Sequence, residues 1–98
     1  MHSGASPDIT VHHHPAEQRY EARIGDALAV AEYTLHGNEI TFTHTWVPPA
    51  LRGRGIAEQL VRRALDDAQN AGRRVVPQCS YVARYIDRHR EFQPLLAR

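Results

Sequence analysis

The segment Val47–Ala57 combines residue types that can bind an anion. It reads Val-Pro-Pro-Ala-Leu-Arg-Gly-Arg-Gly-Ile-Ala, so two prolines end a strand-like stretch and a glycine-spaced turn precedes an amphipathic helix. Gly53 and Gly55 allow backbone conformations that residues with a Cβ rarely adopt, so successive N–H groups can converge on a phosphate at the helix N-terminus. Arg52 and Arg54 add positive charge. The segment therefore predicts a phosphate-binding loop.

Other interpretations of the same glycine pair fit less well. A P-loop requires lysine, but all 12 Lys and Arg residues of this chain are arginine. A dinucleotide-binding G-x-G-x-x-G motif requires a third glycine where Glu58 stands, and it follows the first strand of a βαβ unit rather than a run of hairpins. An ordinary loop-to-helix connection is the structural alternative.

Composition restricts the class of protein. The 98 residues suffice for one domain, and a net charge of +1 creates no global field that would recruit nucleic acid. A single cysteine cannot form an internal disulfide, and no apolar run approaches the roughly 20 residues of a membrane span. Residues 1–7 lack the apolar stretch of a signal peptide. We therefore expect a cytoplasmic protein with neither a membrane nor a nucleic-acid partner.

The region before the loop has the periodicity of strands. Tyr20, Ala22 and Ile24 alternate with charged residues, which is typical of a strand with one buried face. Two further stretches rich in strand-forming residues follow, each after a two-residue turn that contains glycine. The predicted strands are 19–24, 27–36 and 39–47, and they form an antiparallel meander.

After the loop the period changes to that of helices. An apolar stripe predicts a helix over about 55–71, a short apolar strand lies within 73–79, and a second helix is predicted over about 80–89. A strand entered from a helix pairs most easily parallel to the strand before that helix. The predicted fold class is α+β of the α/β sandwich type, with a meander, a helix, a parallel strand and a helix in one domain over 16–98.

Residues 1–15 are expected to form a flexible N-terminal segment, in which Ile9-Thr10-Val11 could make a short strand. His12, His13 and His14 invite a metal interpretation. In an extended segment at most two of the three face one way, and no Cys, Asp or Glu lies at a matching ligand spacing. A mobile histidine cluster or tag remnant is favoured, and no metal is expected.

The order of these elements, the Arg-Gly-Arg-Gly-Ile-Ala turn and the position of Cys79 together resemble the GNAT superfamily of N-acetyltransferases, in particular its very small single-domain members. Arg52-x-x-Gly55-x-Ala57 meets the superfamily's coenzyme A signature, Q/R-x-x-G-x-G/A. The similarity extends over roughly Thr43 to Phe92, and the strands before Thr43 match in pattern only.

The resemblance implies that acetyl-CoA is the co-substrate. Its pyrophosphate would lie on backbone amides of the loop and the first helical turn, and its pantetheine arm would pair with the strand before the loop. That strand and the strand ending at Cys79 are expected to splay, with the thioester in the gap. The implied cofactor-binding residues are Thr45, Trp46, Val47, Arg52, Gly53, Arg54, Gly55, Ile56 and Ala57.

His44 is a candidate general base, because a histidine pKa of about 6.5 suits proton transfer at neutral pH. His44 would share a strand face with Ile40, Phe42 and Trp46, so a core or gap-lining role is equally consistent with the pattern. Related small members usually have glutamate where Trp46 stands, within His-Thr-Glu-Val. Trp46 therefore removes a carboxylate that could act as a base or anchor the acceptor.

Cys79 and Tyr81 are the other candidate catalytic residues. Cys79 ends the last strand just before a helix, a position that lowers a thiol pKa, and its thiolate could accept the acetyl group in a covalent relay. Direct transfer is usual in the superfamily, and inert packing is the alternative role for Cys79. Tyr81, in the first turn of that helix, could protonate the coenzyme A sulfur, whereas Tyr85 is expected to pack.

These residues suggest functions from different classes. The first is an acetyl-CoA-dependent N-acetyltransferase, monomer or homodimer, whose acceptor is an amine of a small molecule or a protein. The second is a non-catalytic acyl-CoA-binding sensor or interaction module, suggested by Trp46. An arginine-rich nucleic-acid binder is disfavoured, because acidic residues are interspersed with the arginines and the net charge is close to zero.

Overall fold

The structure is a computed structural model that describes residues 9–97. Its main elements are β1 (Val11–His14), β2 (Arg19–Ile24), β3 (Ala27–His36), β4 (Glu39–Trp46), α1 (Ile56–Asn70), β5 (Arg74–Pro77) and α2 (Ser80–Arg88). Short 3-10 helices cover Pro15–Glu17, Pro49–Leu51 and Arg90–Leu95. The predicted meander strands and both predicted helices are therefore confirmed, with bounds that differ by a residue at most.

The five strands form one sheet in the order β1-β2-β3-β4-β5. Neighbouring strands are antiparallel except for β4 and β5, which are parallel because α1 connects them. This arrangement confirms the predicted parallel strand and the α+β class. The sheet places the end of β4, the start of α1 and the end of β5 next to one another.

Both helices pack on the same face of the sheet. Their apolar sides share one buried cluster with the inward side chains of the strands, and the opposite sheet face carries no helix within residues 9–97. Tyr20 of β2 connects the two layers, because it is only 2% exposed and donates a hydrogen bond to Asp67 of α1 at 2.8 Å. The fully buried large side chains are Tyr20, Phe42, Phe92, Leu60, Leu65, Ile86, Val61, Val75 and Val82.

The N-terminal part of the sheet differs from the prediction. Residues 1–15 were expected to be flexible, whereas Val11–His14 pair with β2 as an edge strand. His13 turns toward the helices, stacks on Tyr20 with ring centroids 4.1 Å apart, and lies 2.6 Å from the Tyr33 hydroxyl through Nε2. The histidine triplet is thus part of the sheet. Residues 1–8 lie outside the described residues.

A β-bulge and a strand separation shape the end of β4. The pairing of β3 with β4 shifts register between Glu32 and Tyr33, so Thr43 is an extra residue in β4. Pairing of β4 with β5 stops at Phe42, whose carbonyl accepts a last bond from the Cys79 amide at 2.8 Å. Beyond that point the two strands separate, and residues 43–46 have no partner in β5.

Candidate active site

The loop between β4 and α1 is fixed at its start. Pro49–Leu51 forms a single 3-10 turn, in which the amides of Leu51 and Arg52 donate to the carbonyls of Pro48 and Pro49 at 2.9 and 3.2 Å. The Leu51 side chain is buried and attaches this turn to the core. The two prolines that end the strand therefore also supply the acceptors that begin the turn.

Two glycines set the direction of the chain as it enters α1. Gly53 and Gly55 have φ angles of 83° and 76°, in the left-handed region. The left-handed conformation costs a residue with a Cβ about 1–2 kcal/mol of conformational free energy. Space is not the reason for glycine, since a Cβ at either position would meet no atom within 4 Å. The requirement is one of backbone conformation.

The amide groups of residues 53–58 lack acceptors. No hydrogen bond from any of these N–H groups is formed within residues 9–97, and the first bond of α1 runs from Gln59 to the carbonyl of Gly55 at 3.2 Å. Gly55 is the N-cap, and no side chain among the described residues caps the helix. Unpaired N–H groups and the positive end of the helix dipole make a site for an anion. The arrangement fits a phosphate group.

The two loop arginines have different surroundings. Arg52 donates from Nε to the Val47 carbonyl at 3.0 Å, and its guanidinium carbon lies 5.0 Å from the ring centroid of Trp46. This cation–π contact holds Arg52 and Trp46 together at the end of β4. Arg54 is exposed to solvent.

A cavity of about 390 Å³ lies against these amides, between the loop, the end of β4 and the start of α2. It brings together most of the predicted site residues, but His44, Arg54 and Cys79 do not line it. The lining residues are Thr45, Trp46, Val47, Leu51, Arg52, Gly53, Gly55, Ile56, Ala57, Glu58 and Tyr81.

Leu51 and Glu58 line the cavity and were not predicted. The helical period assigned Glu58 to the solvated side of α1, and its side chain is indeed exposed. Its place in the first turn was the available signal, because first-turn residues border whatever lies at the helix N-terminus. For Leu51 the signal was a single large apolar residue in an otherwise polar loop.

The prediction that His44 lies on the same strand face as Ile40 and Phe42 is wrong, because the bulge intervenes between Phe42 and His44. Ile40 and Phe42 point into the core, whereas His44 pairs with Glu32 on the open face of the sheet and is exposed. Trp46 is on that open face as well, and 44% of it is exposed. Thr45 instead takes the inward position, opposite the buried Ala31. His44 therefore lies outside both the core and the cavity.

Cys79 lies at the point where β4 and β5 separate. Its sulfur lies 3.5 Å from the Thr45 hydroxyl, and it is the residue just before α2. Burial raises the pKa of Cys79, but the Thr45 hydroxyl and the backbone N–H groups of Val82 and Tyr81 together outweigh burial. These amides act without forming a capping hydrogen bond. The net effect is a pKa below that of an ordinary cysteine, which favours the thiolate.

Tyr81 lies at the boundary of the cavity, in the first turn of α2. Burial raises the pKa of its hydroxyl, and the nearby carboxylate of Glu58 raises it further. The phenol is therefore fully protonated at neutral pH and is suited to donate a proton. Tyr85, one turn later, is buried and stacks on His89 with ring centroids 3.9 Å apart.

The part of the chain that the structure covers contains no group of three His, Cys, Asp or Glu residues arranged to hold a metal ion. Neither of its α-helices has the length and apolar character needed to cross a membrane.

Comparison with known proteins assigns the family. The profile of the GCN5-related N-acetyl-transferase family matches residues 19–95, which include every element from β2 to the last 3-10 helix. The chain therefore belongs to the GCN5-related N-acetyltransferase family, and the resemblance inferred from the loop is confirmed.

Several relatives carry the name Protein NATD1. The Xenopus tropicalis protein is 31% identical over 84 residues, covering 83% of this chain and 77% of that protein. The human protein is 33% identical over 81 residues, covering 80% and 72%. A solution structure of a GCN5-like protein from Staphylococcus aureus superposes with a TM-score of 0.72 at 20% identity, covering 93% of this chain and 90% of that one. This likeness confirms the fold.

Proposed function

We propose that the protein transfers the acetyl group of acetyl-CoA to an amine of a small molecule or a protein. The observation that carries the proposal is the set of amides at residues 53–58, which have no acceptor within residues 9–97 and border a cavity of about 390 Å³. Gly53, Arg54, Gly55, Ile56 and Ala57 would hold the pyrophosphate. Arg52 would add charge, and residues 45–47 would pair with the pantetheine arm.

The residues around the gap would divide the chemistry of acetyl transfer. The neutral amine attacks the thioester carbonyl, the carbon–sulfur bond breaks, and the departing sulfur takes a proton. Tyr81 is the proposed donor of that proton, because it borders the cavity and its raised pKa keeps it protonated. His44 lies on the open face, from which it could accept a proton from the incoming amine.

Cys79 offers a second route. Its thiolate would attack the thioester carbonyl, release coenzyme A as the thiol after proton transfer, and pass the acetyl group to the amine. The lowered pKa of Cys79 and its contact with Thr45, which lines the cavity, support this relay. Mass spectrometry after incubation with acetyl-CoA alone distinguishes the routes, because only the relay leaves an acetyl group on Cys79.

A non-catalytic acyl-CoA sensor is the second candidate function. The observation that favours it is Trp46, which stands on the open face beside the gap where related small proteins usually have glutamate. Such a protein would bind acetyl-CoA and release no thiol when amines are added.

Two measurements test the proposed function. Calorimetry should show that acetyl-CoA binds the native protein, that Arg52→Glu combined with Gly55→Glu abolishes binding, and that Arg74→Glu, an exposed arginine of β5, leaves binding intact. Free thiol is then measured during incubation with acetyl-CoA and a panel of amines. Turnover supports the enzyme, binding without turnover supports the sensor, and absence of binding at millimolar acetyl-CoA refutes both.

A further inference from the structure

A small apolar patch lies on the open face of the sheet, at the end of β4. This Trp46 patch consists of Leu28, Val30 and Trp46. Val30 is directly opposite Trp46 in the pairing of β3 with β4, and Leu28 is two residues from Val30, on the same side of β3. Neither Leu28 nor Val30 belongs to the buried cluster between the sheet and the helices. The Trp46 patch is therefore an apolar surface separate from the core.

Trp46 connects this patch with the cavity beside the loop. It is 44% exposed, and Leu35, at 37%, is the only other exposed large hydrophobic residue within residues 9–97. Trp46 lines the cavity, whereas Leu35 does not. The backbone of residues 43–46 has no partner in β5, so the pantetheine arm can pair with that backbone while the Trp46 side chain stays on the open face. The Trp46 patch therefore begins where the site for the acetyl donor ends.

The charges around the Trp46 patch do not favour a second cation. The guanidinium carbon of Arg52 lies 5.0 Å from the centroid of the Trp46 ring, so this ring already bears a cation. The two nearby carboxylates, Glu21 and Glu32, both adjoin Arg19. Glu21 is ion-paired with it at 2.6 Å, and Glu32 is directly opposite it on the neighbouring strand. A positively charged ligand would therefore meet guanidinium groups and carboxylates whose charge is already balanced.

We infer that Trp46 selects an acceptor amine with an uncharged apolar body, which packs on the exposed part of its ring. The inference rests on the proposed function, because only a transferase has an acceptor. Trp46 follows Thr45, whose hydroxyl lies 3.5 Å from the Cys79 sulfur at the gap, and successive strand residues are about 3.3 Å apart. An amine on a short alkyl arm therefore reaches the gap while its body lies on Trp46. Glutamate at this position would instead attract a second positive charge.

A comparison of three amines tests this inference. 2-Phenylethylamine, butylamine and 1,4-diaminobutane carry a ring, an alkyl group and a second ammonium group on short arms. At saturating acetyl-CoA, kcat/KM of the native protein should be about tenfold higher for 2-phenylethylamine than for butylamine, which corresponds to about 1.4 kcal/mol, as for one aromatic contact. 1,4-Diaminobutane should be the poorest acceptor. The difference should lie in KM rather than kcat, because the ring contact is the same before and during transfer.

Substitutions of Trp46 attribute the preference to its side chain. Trp46→Ala should abolish the preference for 2-phenylethylamine, and Trp46→Phe should keep part of it. Trp46→Glu should make 1,4-diaminobutane the best of the three acceptors. Leu35→Ala is the matched control, because it removes the other exposed large hydrophobic residue and should keep the native preference. Since Trp46 also contacts Arg52, only ratios between amines are compared, and thermal denaturation verifies that each variant folds.

The outcomes separate this inference from the proposed function. Equal kcat/KM for 2-phenylethylamine and butylamine in the native protein, or an unchanged ratio in Trp46→Ala, overturns the inference and leaves acetyl transfer standing. Turnover of a lysine-containing peptide but of none of the three amines does the same. Absence of thiol release with every acceptor, when acetyl-CoA binds, overturns the proposed transfer itself and supports the sensor.

Discussion

Gly55 should be required for ligand binding beyond its effect on stability. Its φ of 76° is strained for any residue with a Cβ, and the added methyl group of Gly55→Ala would meet no atom within 4 Å. The expected loss of stability is therefore the backbone term alone, about 1–2 kcal/mol. A loss of 1 kcal/mol lowers the melting temperature of a domain of this size by about 4–8 °C, so the melting temperature should decrease by about 4–16 °C.

The effect on binding follows from the position of Gly55 at the N-cap. Relaxing φ toward negative values would turn the amides of Gly55 and Ile56 away from a common point. Each charge-assisted hydrogen bond lost to phosphate is worth about 1.5–3 kcal/mol, so coenzyme A should bind about ten- to a hundredfold more weakly. Gly55→Asn is the complementary variant, because asparagine tolerates the left-handed region, and it should retain most of the affinity.

Gly25→Ala is the matched control for this prediction. Gly25 has a φ of 60°, lies in the turn between β2 and β3, and likewise has open space around an added Cβ. It should lose similar stability and no affinity. Both variants are measured by thermal denaturation and by titration with coenzyme A. Equal affinities for Gly55→Ala and Gly25→Ala would show that the loop conformation does not hold the ligand.

Three further predictions concern single hydroxyl and thiol groups. The rate of Cys79 alkylation by iodoacetamide should reach its half-maximum at a lower pH than that of a free cysteine, and Thr45→Val should move the profile toward higher pH by removing a hydrogen bond to the thiolate. Because the folded-state pKa is lowered, the thiolate contributes stability above the unfolded-state pKa and loses it as pH falls through the folded-state value. Tyr81→Phe should lower kcat and leave the Kd for acetyl-CoA unchanged, and an unchanged kcat would remove Tyr81 from the proposed chemistry. Tyr20→Phe should cost about 1 kcal/mol in urea denaturation through loss of its bond to Asp67, and an unchanged midpoint would mean that Arg63 alone satisfies that carboxylate.

The loop and the regular elements could be predicted because their signals are local. Alternation, helical period and glycine at the turns each depend on residues close together in the chain, and they predicted the meander, both helices and the order of strands β2 to β5. The conformation of the loop before α1 belongs to the same class, since the positive φ angles of Gly53 and Gly55 follow from residue type within a few positions. Its match to the coenzyme A signature is equally local.

The features that were missed depend on two elements at once. The bulge at Thr43 is a property of the β3–β4 pair, and β4 alone predicts unbroken alternation. The pairing of Val11–His14 with β2 likewise depends on the partner strand. The three histidines make this segment polar, so its sequence alone does not indicate a strand. The place of Glu58 in the cavity lining likewise needs the packing of α1 against α2, which brings Glu58 close to Tyr81.

The bulge reverses the parity of β4. Even-numbered side chains face the helices up to Phe42, and odd-numbered ones do so from Thr45 onward. If the same sequence paired with β3 without the bulge, His44 would lie opposite Ala31, and the two surfaces of β4 would be exchanged from Thr43 to Trp46. Thr45 would then face away from Cys79, and Trp46 would turn inward opposite Ala29. The geometry around the thiol thus depends on a count of residues as much as on their identities.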